Sequence, residues 1–225
     1  MMFVKSPLNH RRNGMLILAV ETSSPVCGVS LCTPEGEKDK EVLIQPWVHA
    51  EKLAVICKDL LLRNSLKVSR LDGIAVSVGP GSFTGLRIGM SFVKGLAYAH
   101  QIPVAAVNTL FAFRDATRET GGAEEETVWV IHSHRDFIYT LGDNEEDIHY
   151  MKKREFSDFY PRCRHIISNQ APGIFDELSQ DVYPIVPAWI GAAVFGNSAV
   201  SLTTQYDQLR IYYGSHYEPV RWKSD

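Results

Sequence analysis

Two apolar runs, Leu16 to Val20 and Val26 to Cys32, flank the polar turn Thr22-Ser23-Ser24-Pro25 and predict a β-hairpin. A third strand near Glu41 to Gln45 completes a meander. Beyond it the apolar period lengthens. A helix is predicted from about Val48 to Arg63, a strand at Gly73 to Val78, a helix from about Thr84 to His100 and a strand at Val104 to Val107. A short helix containing Phe111 and Phe113 follows. Strands are then predicted at Val128 to His132, Phe137 to Leu141 and Arg164 to Ile167, and a helix from Ala188 to Phe195. Three antiparallel strands followed by alternating helices and parallel strands make an α/β lobe. The loop Glu119 to Glu126 (ETGGAEEE) then divides the chain into a first lobe over 15–118 and a second, smaller α/β lobe over 119–225. Residues 1–14 show no periodicity and are expected to be a disordered extension.

Both long helices of the first lobe carry two apolar faces. In the first, Leu53, Ile56, Cys57, Leu60 and Leu61 form a core-facing stripe, while Val48, Val55 and Leu62 recur every seven residues on the other side among Glu51, Lys58 and Asp59. A narrow apolar seam rimmed by charge fits a partner helix, or alternatively a cover provided by the chain's own second lobe. In the second helix, Leu86, Met90, Val93 and Ala97 oppose Ile88, Phe92 and Ala99, leaving Arg87, Ser91, Lys94 and Tyr98 as a polar wedge. Gly85, Gly89 and Gly95 lower helix propensity there, so each is expected to allow another backbone to come close.

Composition narrows the function classes. A chain of 225 residues, 45% apolar with a net charge of −3, can bury one good core or two small lobes and lacks the basic face that grips RNA phosphates. Any RNA is therefore reached through a partner. Cys27, Cys32, Cys57 and Cys163 show no C-x-x-C spacing, so neither a zinc knuckle nor a disulfide framework follows, and with no secretory signal a cytoplasmic location is expected. The early apolar run from Met15 to Val20 is too short to span a membrane.

The segment from Val78 to Gly89 runs from an apolar strand through a glycine turn into a helix start, with Ser82 or Thr84 as the cap. Backbone amides and the helix dipole there form a candidate anion cradle from Gly79, Gly81, Ser82 and Thr84, with Glu21, Thr22 and Ser23 at the neighbouring strand end. The G-K-[ST] ending of a P-loop is absent, and Thr84 occupies the third glycine position of a dinucleotide fingerprint. His132 and His134 share one face of a predicted strand, as metal ligands or as ordinary hydrogen-bonded histidines.

The wording GPGSFTGLRIG, with ILAVETSSPVCGVSL and HAEKL before it, resembles the TsaB (YeaZ) family of tRNA threonylcarbamoyladenosine biosynthesis proteins. The likeness is strong from Met15 to Leu110 and weak beyond, where Tyr217-Glu218-Pro219-Val220-Arg221 resembles the family's ending. The resemblance implies the actin-like ATPase fold (ASKHA, ribonuclease-H-like) with two lobes, the second reduced. It also implies a non-catalytic subunit that binds and activates a TsaD-type transferase, joined by a TsaE-type ATPase, and that forms a homodimer when alone. Its partner-facing residues would be Val48, His49, Lys52, Val55, Leu62, Arg87, Ile88 and Phe92. No cofactor of its own is expected, with ATP or ADP at the partner interface only, and no catalytic or metal residue.

The residues fit a degenerate site, since the H-x-x-x-H pair that a catalytic relative needs begins at His49 but meets Leu53 in the second position. The only Gly-Gly pair is Gly121-Gly122. Two departures qualify the match: Glu21 stands where many members carry Asp, and His132-Ser133-His134-Arg135 replaces an Asp-Ala-Arg-Arg-like run. The rival readings are an ATP-dependent kinase or ATPase using Glu21 and the glycine turn, and a peptidase-like enzyme.

Overall fold

The computed structural model describes residues 14–45, 47–118, 126–170, 175 and 178–214. The expected extension (save Gly14), the Gly121-Gly122 loop and the Tyr217 to Arg221 ending lie outside them. The chain begins with β1 (Ile17–Glu21), β2 (Val26–Thr33) and β3 (Gly36–Ile44), then α1 (His49–Arg63), β4 (Gly73–Ser77), α2 (Phe83–His100), β5 (Val104–Val107) and α3 (Thr109–Arg118). Next come β6 (Thr127–His132), β7 (Phe137–Gly142), β8 (His149–Lys152), α4 (Phe156–Phe159), β9 (His165–Ser168), β10 (Ser179–Val182), α5 (Pro187–Gly196) and β11 (Leu202–Thr203).

The two sheets repeat one plan. The first runs β11-β5-β4-β1-β2-β3 and the second β10-β9-β6-β7-β8. In each, three antiparallel strands are followed by two that pair in parallel on the other side of the first. The molecule is thus a two-lobed α/β protein of the actin-like, ribonuclease-H-like architecture. The second lobe is the reduced one: its third and fourth strands are joined through the 4-residue α4, where the first lobe has the 15-residue α1.

The lobes exchange helices. Leaving the first sheet, α3 sends Leu110 and Phe113 into a core with Trp129, Ile131 and Leu141 of the second. The buried indole is satisfied locally, its N–H donating to Thr117 Oγ1 at 2.8 Å while that hydroxyl donates to Phe113 O at 2.7 Å. Leaving the second sheet, α5 places Ile190 and Val194 against Ile17, Ala19 and Cys32, and β11 then joins β5. A division at residue 119 therefore does not describe the molecule, because residues 187–203 complete the layer on the first sheet.

Cys27 and Cys32 fall in separate clusters on opposite faces of β2, and all four cysteines are free. The strand β3 begins at Gly36, five residues ahead of the expected start, since an edge strand needs a backbone partner and not an apolar face. Among the described residues no helix is long and apolar enough to cross a membrane.

Candidate functional site

Glu21 ends β1 and is fully buried. Its Oε1 accepts hydrogen bonds from the Ser23 N–H and the Ser23 hydroxyl, each at 2.5 Å. Its Oε2 closes no hydrogen bond among the described residues. Burial pushes the carboxyl from 4.5 to about 7, against the pull of the Ser23 bonds and the nearby Ser77 hydroxyl and Ser24 N–H.

The glycine turn is clamped onto this strand end. Ser82 caps α2 by accepting from the Gly85 N–H at 3.2 Å, and its own N–H donates to Ser23 O at 2.6 Å. The Gly79 N–H donates to Thr109 Oγ1 at 3.1 Å. A Cβ on Gly85 would collide with the carbonyl of Thr22, and one on Gly89 with the Thr22 side chain, so these glycines let α2 lie directly on the β1–β2 turn. Gly81 approaches Ser23 in the same way. The structure thus gathers Glu21, Thr22, Ser23, Gly79, Gly81 and Ser82, and of the cradle's expected donors it turns the Gly79 and Ser82 N–H groups inward, onto the protein. Ser82 and Thr84 are the exposed members of the seven, and both line a cleft.

That cleft, of about 620 Å³, lies between the lobes. The β1–β2 turn and the start of α2 form one wall through Ser23, Ser24, Phe83 and Thr84. The other wall comes from the corresponding β6–β7 turn and its neighbours, through His132, Ser133, His134, Tyr139, Tyr150, Asn169 and Gln170. Tyr213 lines the same cleft and bridges the two lobes: its backbone carbonyl accepts from Tyr139 Oη at 2.9 Å, and its hydroxyl takes the Arg87 Nε–H at 3.1 Å. Burial, reinforced by the charge of Lys153, lowers the His132 pKa, which keeps that ring neutral at pH 7. Sequence reading missed Tyr139, Tyr150, Asn169, Gln170 and Tyr213. A signal existed in the turn at 133–136, which stands in the second sheet where the Thr22 to Pro25 turn stands in the first.

The α1 residues sort by face as the periodicity predicts, with Leu53, Ile56, Cys57, Leu60 and Leu61 buried. On the other side Val55 is 49% and Leu62 64% exposed, so the second lobe does not cover the seam with any described residue. Val48 is half-buried and Lys52 exposed, while Ile88 and Phe92 of α2 are half-buried.

Two expected contact residues differ. His49 is buried, its Nε2 lying 3.0 Å from Ser24 O and 3.1 Å from Val26 O. Facing two carbonyls, Nε2 must carry the proton, and the ring ties α1 to the hairpin instead of facing a partner. Arg87 stacks over Phe83 at 3.7 Å and is held by Tyr213, an engagement that only the distant C-terminal segment makes possible. Of the three α2 glycines, Gly95 has no described atom within 4 Å of where a Cβ would stand.

A family model described as TsaD, tRNA N6-adenosine threonylcarbamoyltransferase, matches residues 47–154. The TsaB protein of Haemophilus influenzae is 30% identical over 156 residues, covering 69% of this chain and 63% of that relative. The TsaB protein of Escherichia coli is 30% identical over 109 residues, covering 48% of this chain and 47% of its own length. Both are described as tRNA threonylcarbamoyladenosine biosynthesis proteins, and the chain spans about half to two thirds of their length. A Pseudomonas aeruginosa structure, described as an uncharacterized protein with similarity to peptidase YEAZ, superposes with a TM-score of 0.69 at 25% identity, covering 88% of this chain and 99% of that one. YeaZ from the same organism, at 24% identity and a TM-score of 0.66, shares the fold over 88% of this chain and 100% of its own.

Proposed function

This chain belongs to the TsaB (YeaZ) family, related to TsaD, and from that premise we propose that it is a non-catalytic subunit of the tRNA N6-threonylcarbamoyladenosine machinery that binds and activates a TsaD-type transferase. The observation that carries this reading is the uncovered seam of α1. Two large aliphatic side chains, Val55 and Leu62, stand in water one helical heptad apart, beside a helix whose Gly95 leaves room for another backbone.

The interior of the first lobe supports the non-catalytic part. His49 directs its Nε2 at two carbonyls, and Leu53, four residues on, lies in the core, so this face of α1 offers no metal pair. A TsaE-type ATPase completes the proposed assembly. ATP or ADP belongs at the partner interface, tRNA is reached through the partner, and the location is cytoplasmic. In the partner's absence the same seam pairs two copies of this chain.

The test is the affinity of the purified chain for a TsaD-type transferase from the same organism, with and without Val55→Asp. Charging a central interface position costs about 2 kcal/mol, roughly thirtyfold in Kd. Unaltered binding by the variant overturns the proposal.

A further inference from the structure

The polar wedge that the sequence places on α2 is met by the chain's own return. After β11, residues 204–214 lie back along this helix. The Arg87 Nε–H donates to Tyr213 Oη at 3.1 Å, Lys94 Nζ donates to Leu209 O at 3.1 Å, and the Tyr98 ring meets Tyr206 edge-on at 6.2 Å. Three of the four wedge residues thus turn toward one segment.

That segment is also fastened to the body of the first lobe. Tyr206 Oη lies 2.9 Å from Ile102 O and 3.2 Å from Ala97 O, Leu209 is buried in the first-lobe core, and the Tyr212 N–H donates to Val78 O at 2.7 Å. Gly79 makes room for it, since a Cβ there would strike the Tyr212 carbonyl.

The segment then reaches the second lobe at Tyr139. The Tyr139 hydroxyl donates to Tyr213 O at 2.9 Å, and Gly214, at φ +80°, lets the backbone pass over the Tyr139 ring, where a Cβ would collide. Tyr213 and Tyr139 both line the cleft between the lobes, whereas no described residue of α3 or α5 does. The crossing helices therefore join the lobes away from the cleft, and residues 206–214 join them across it. A neutral hydrogen bond shifts an equilibrium by about two- to tenfold, enough to bias the separation of two lobes without freezing it.

We infer that residues 206–214 form a strap whose contact between Tyr213 and Tyr139 latches the lobes at their present separation, and that releasing this contact lets them open about α3 and α5. The latch goes beyond the subunit reading and does not depend on it.

The experiment is double electron–electron resonance on the full chain, with nitroxides at Thr84→Cys and His134→Cys. These are exposed positions on opposite walls of the cleft, and a Cys163→Ser background leaves only buried native thiols. Tyr139→Phe keeps the ring and removes only the hydroxyl, and it is expected to raise the longer-distance population about two- to tenfold. Gly214→Val drives a side chain into the Tyr139 ring and is expected to produce the same shift by another route. Val55→Asp leaves the distribution unchanged, so this inference and the subunit reading fail separately. Far-UV circular dichroism and the thermal midpoint of each variant report whether the fold is intact. An unshifted distance distribution in either latch variant overturns the inference, as does a shift that appears only together with loss of the folded signal.

Discussion

Glu21→Gln isolates one buried ionisation. The carboxyl ionises at about 7 in the folded chain against 4.5 ordinarily, and burial is the main cause. Below pH 4.5 both the folded and the unfolded chain hold the proton, and the group contributes no difference. Between 4.5 and about 7 the unfolded chain releases it while the folded chain retains it, so stability falls as pH rises through this window. Above about pH 7 the full cost of a buried carboxylate is present and constant. At about 1.4 kcal/mol per tenfold change, a rise from 4.5 to about 7 corresponds to ~3 kcal/mol.

Glutamine keeps an oxygen for the Ser23 N–H and hydroxyl but cannot ionise. Urea unfolding followed by far-UV circular dichroism, at intervals from pH 4.5 to 8, gives the stability of both proteins. The variant is expected to gain on the wild type by ~3 kcal/mol across the window, with most of the gain complete by pH 8. Asp39, held down to about 2 by Arg63 and Asn64 on the surface, titrates identically in both and cancels. A difference independent of pH, or one that shrinks as pH rises, refutes the burial argument.

Leu60→Asp puts a charge at a fully buried position and is expected to unfold the first lobe, whereas Val55→Asp, at 49% exposure, leaves the thermal unfolding midpoint nearly unchanged. If the two variants melt alike, the seam is core. Sedimentation of the partner-free chain across a concentration series is expected to show a monomer–dimer equilibrium that Val55→Asp shifts toward monomer, and a strict monomer at every concentration counts against the exposed seam. Gly85→Ala drives a methyl into the Thr22 carbonyl and should destabilise by about 1–3 kcal/mol. Gly95→Ala meets no described atom and should stabilise the isolated chain by about 0.5–1 kcal/mol while weakening partner binding. Equal effects of the two alanines in thermal unfolding would refute the packing argument.

The elements whose burial is periodic were legible in the sequence. The hairpin of β1 and β2, both long helices and their inward stripes follow from residue spacing alone, because a helix or strand that hides one face writes that face into its sequence. The same holds for the exposed side of α1, where Val55 and Leu62 recur with no core to enter. Short strands carried no such record. β8 and β10, four residues each, HYMK and SQDV, are strands because β7 and β9 supply their hydrogen bonds, and the charged start of β3 is one because β2 does.

The candidate site shows the same limit more sharply. The sequence brought Glu21, Ser23 and Ser82 to one corner, but the direction in which their hydrogen bonds point was decided by how closely α2 settles on the β1–β2 turn. His49 looked outward by its position at a helix start and lies inside because two hairpin carbonyls needed a donor. Tyr213 reaches Arg87, 126 positions away, only because α5 and β11 bring the chain back to the first lobe. Local spacing fixes which side of an element is apolar, whereas donor partners, burial of a charge and the walls of a cleft depend on contacts between residues far apart in the chain.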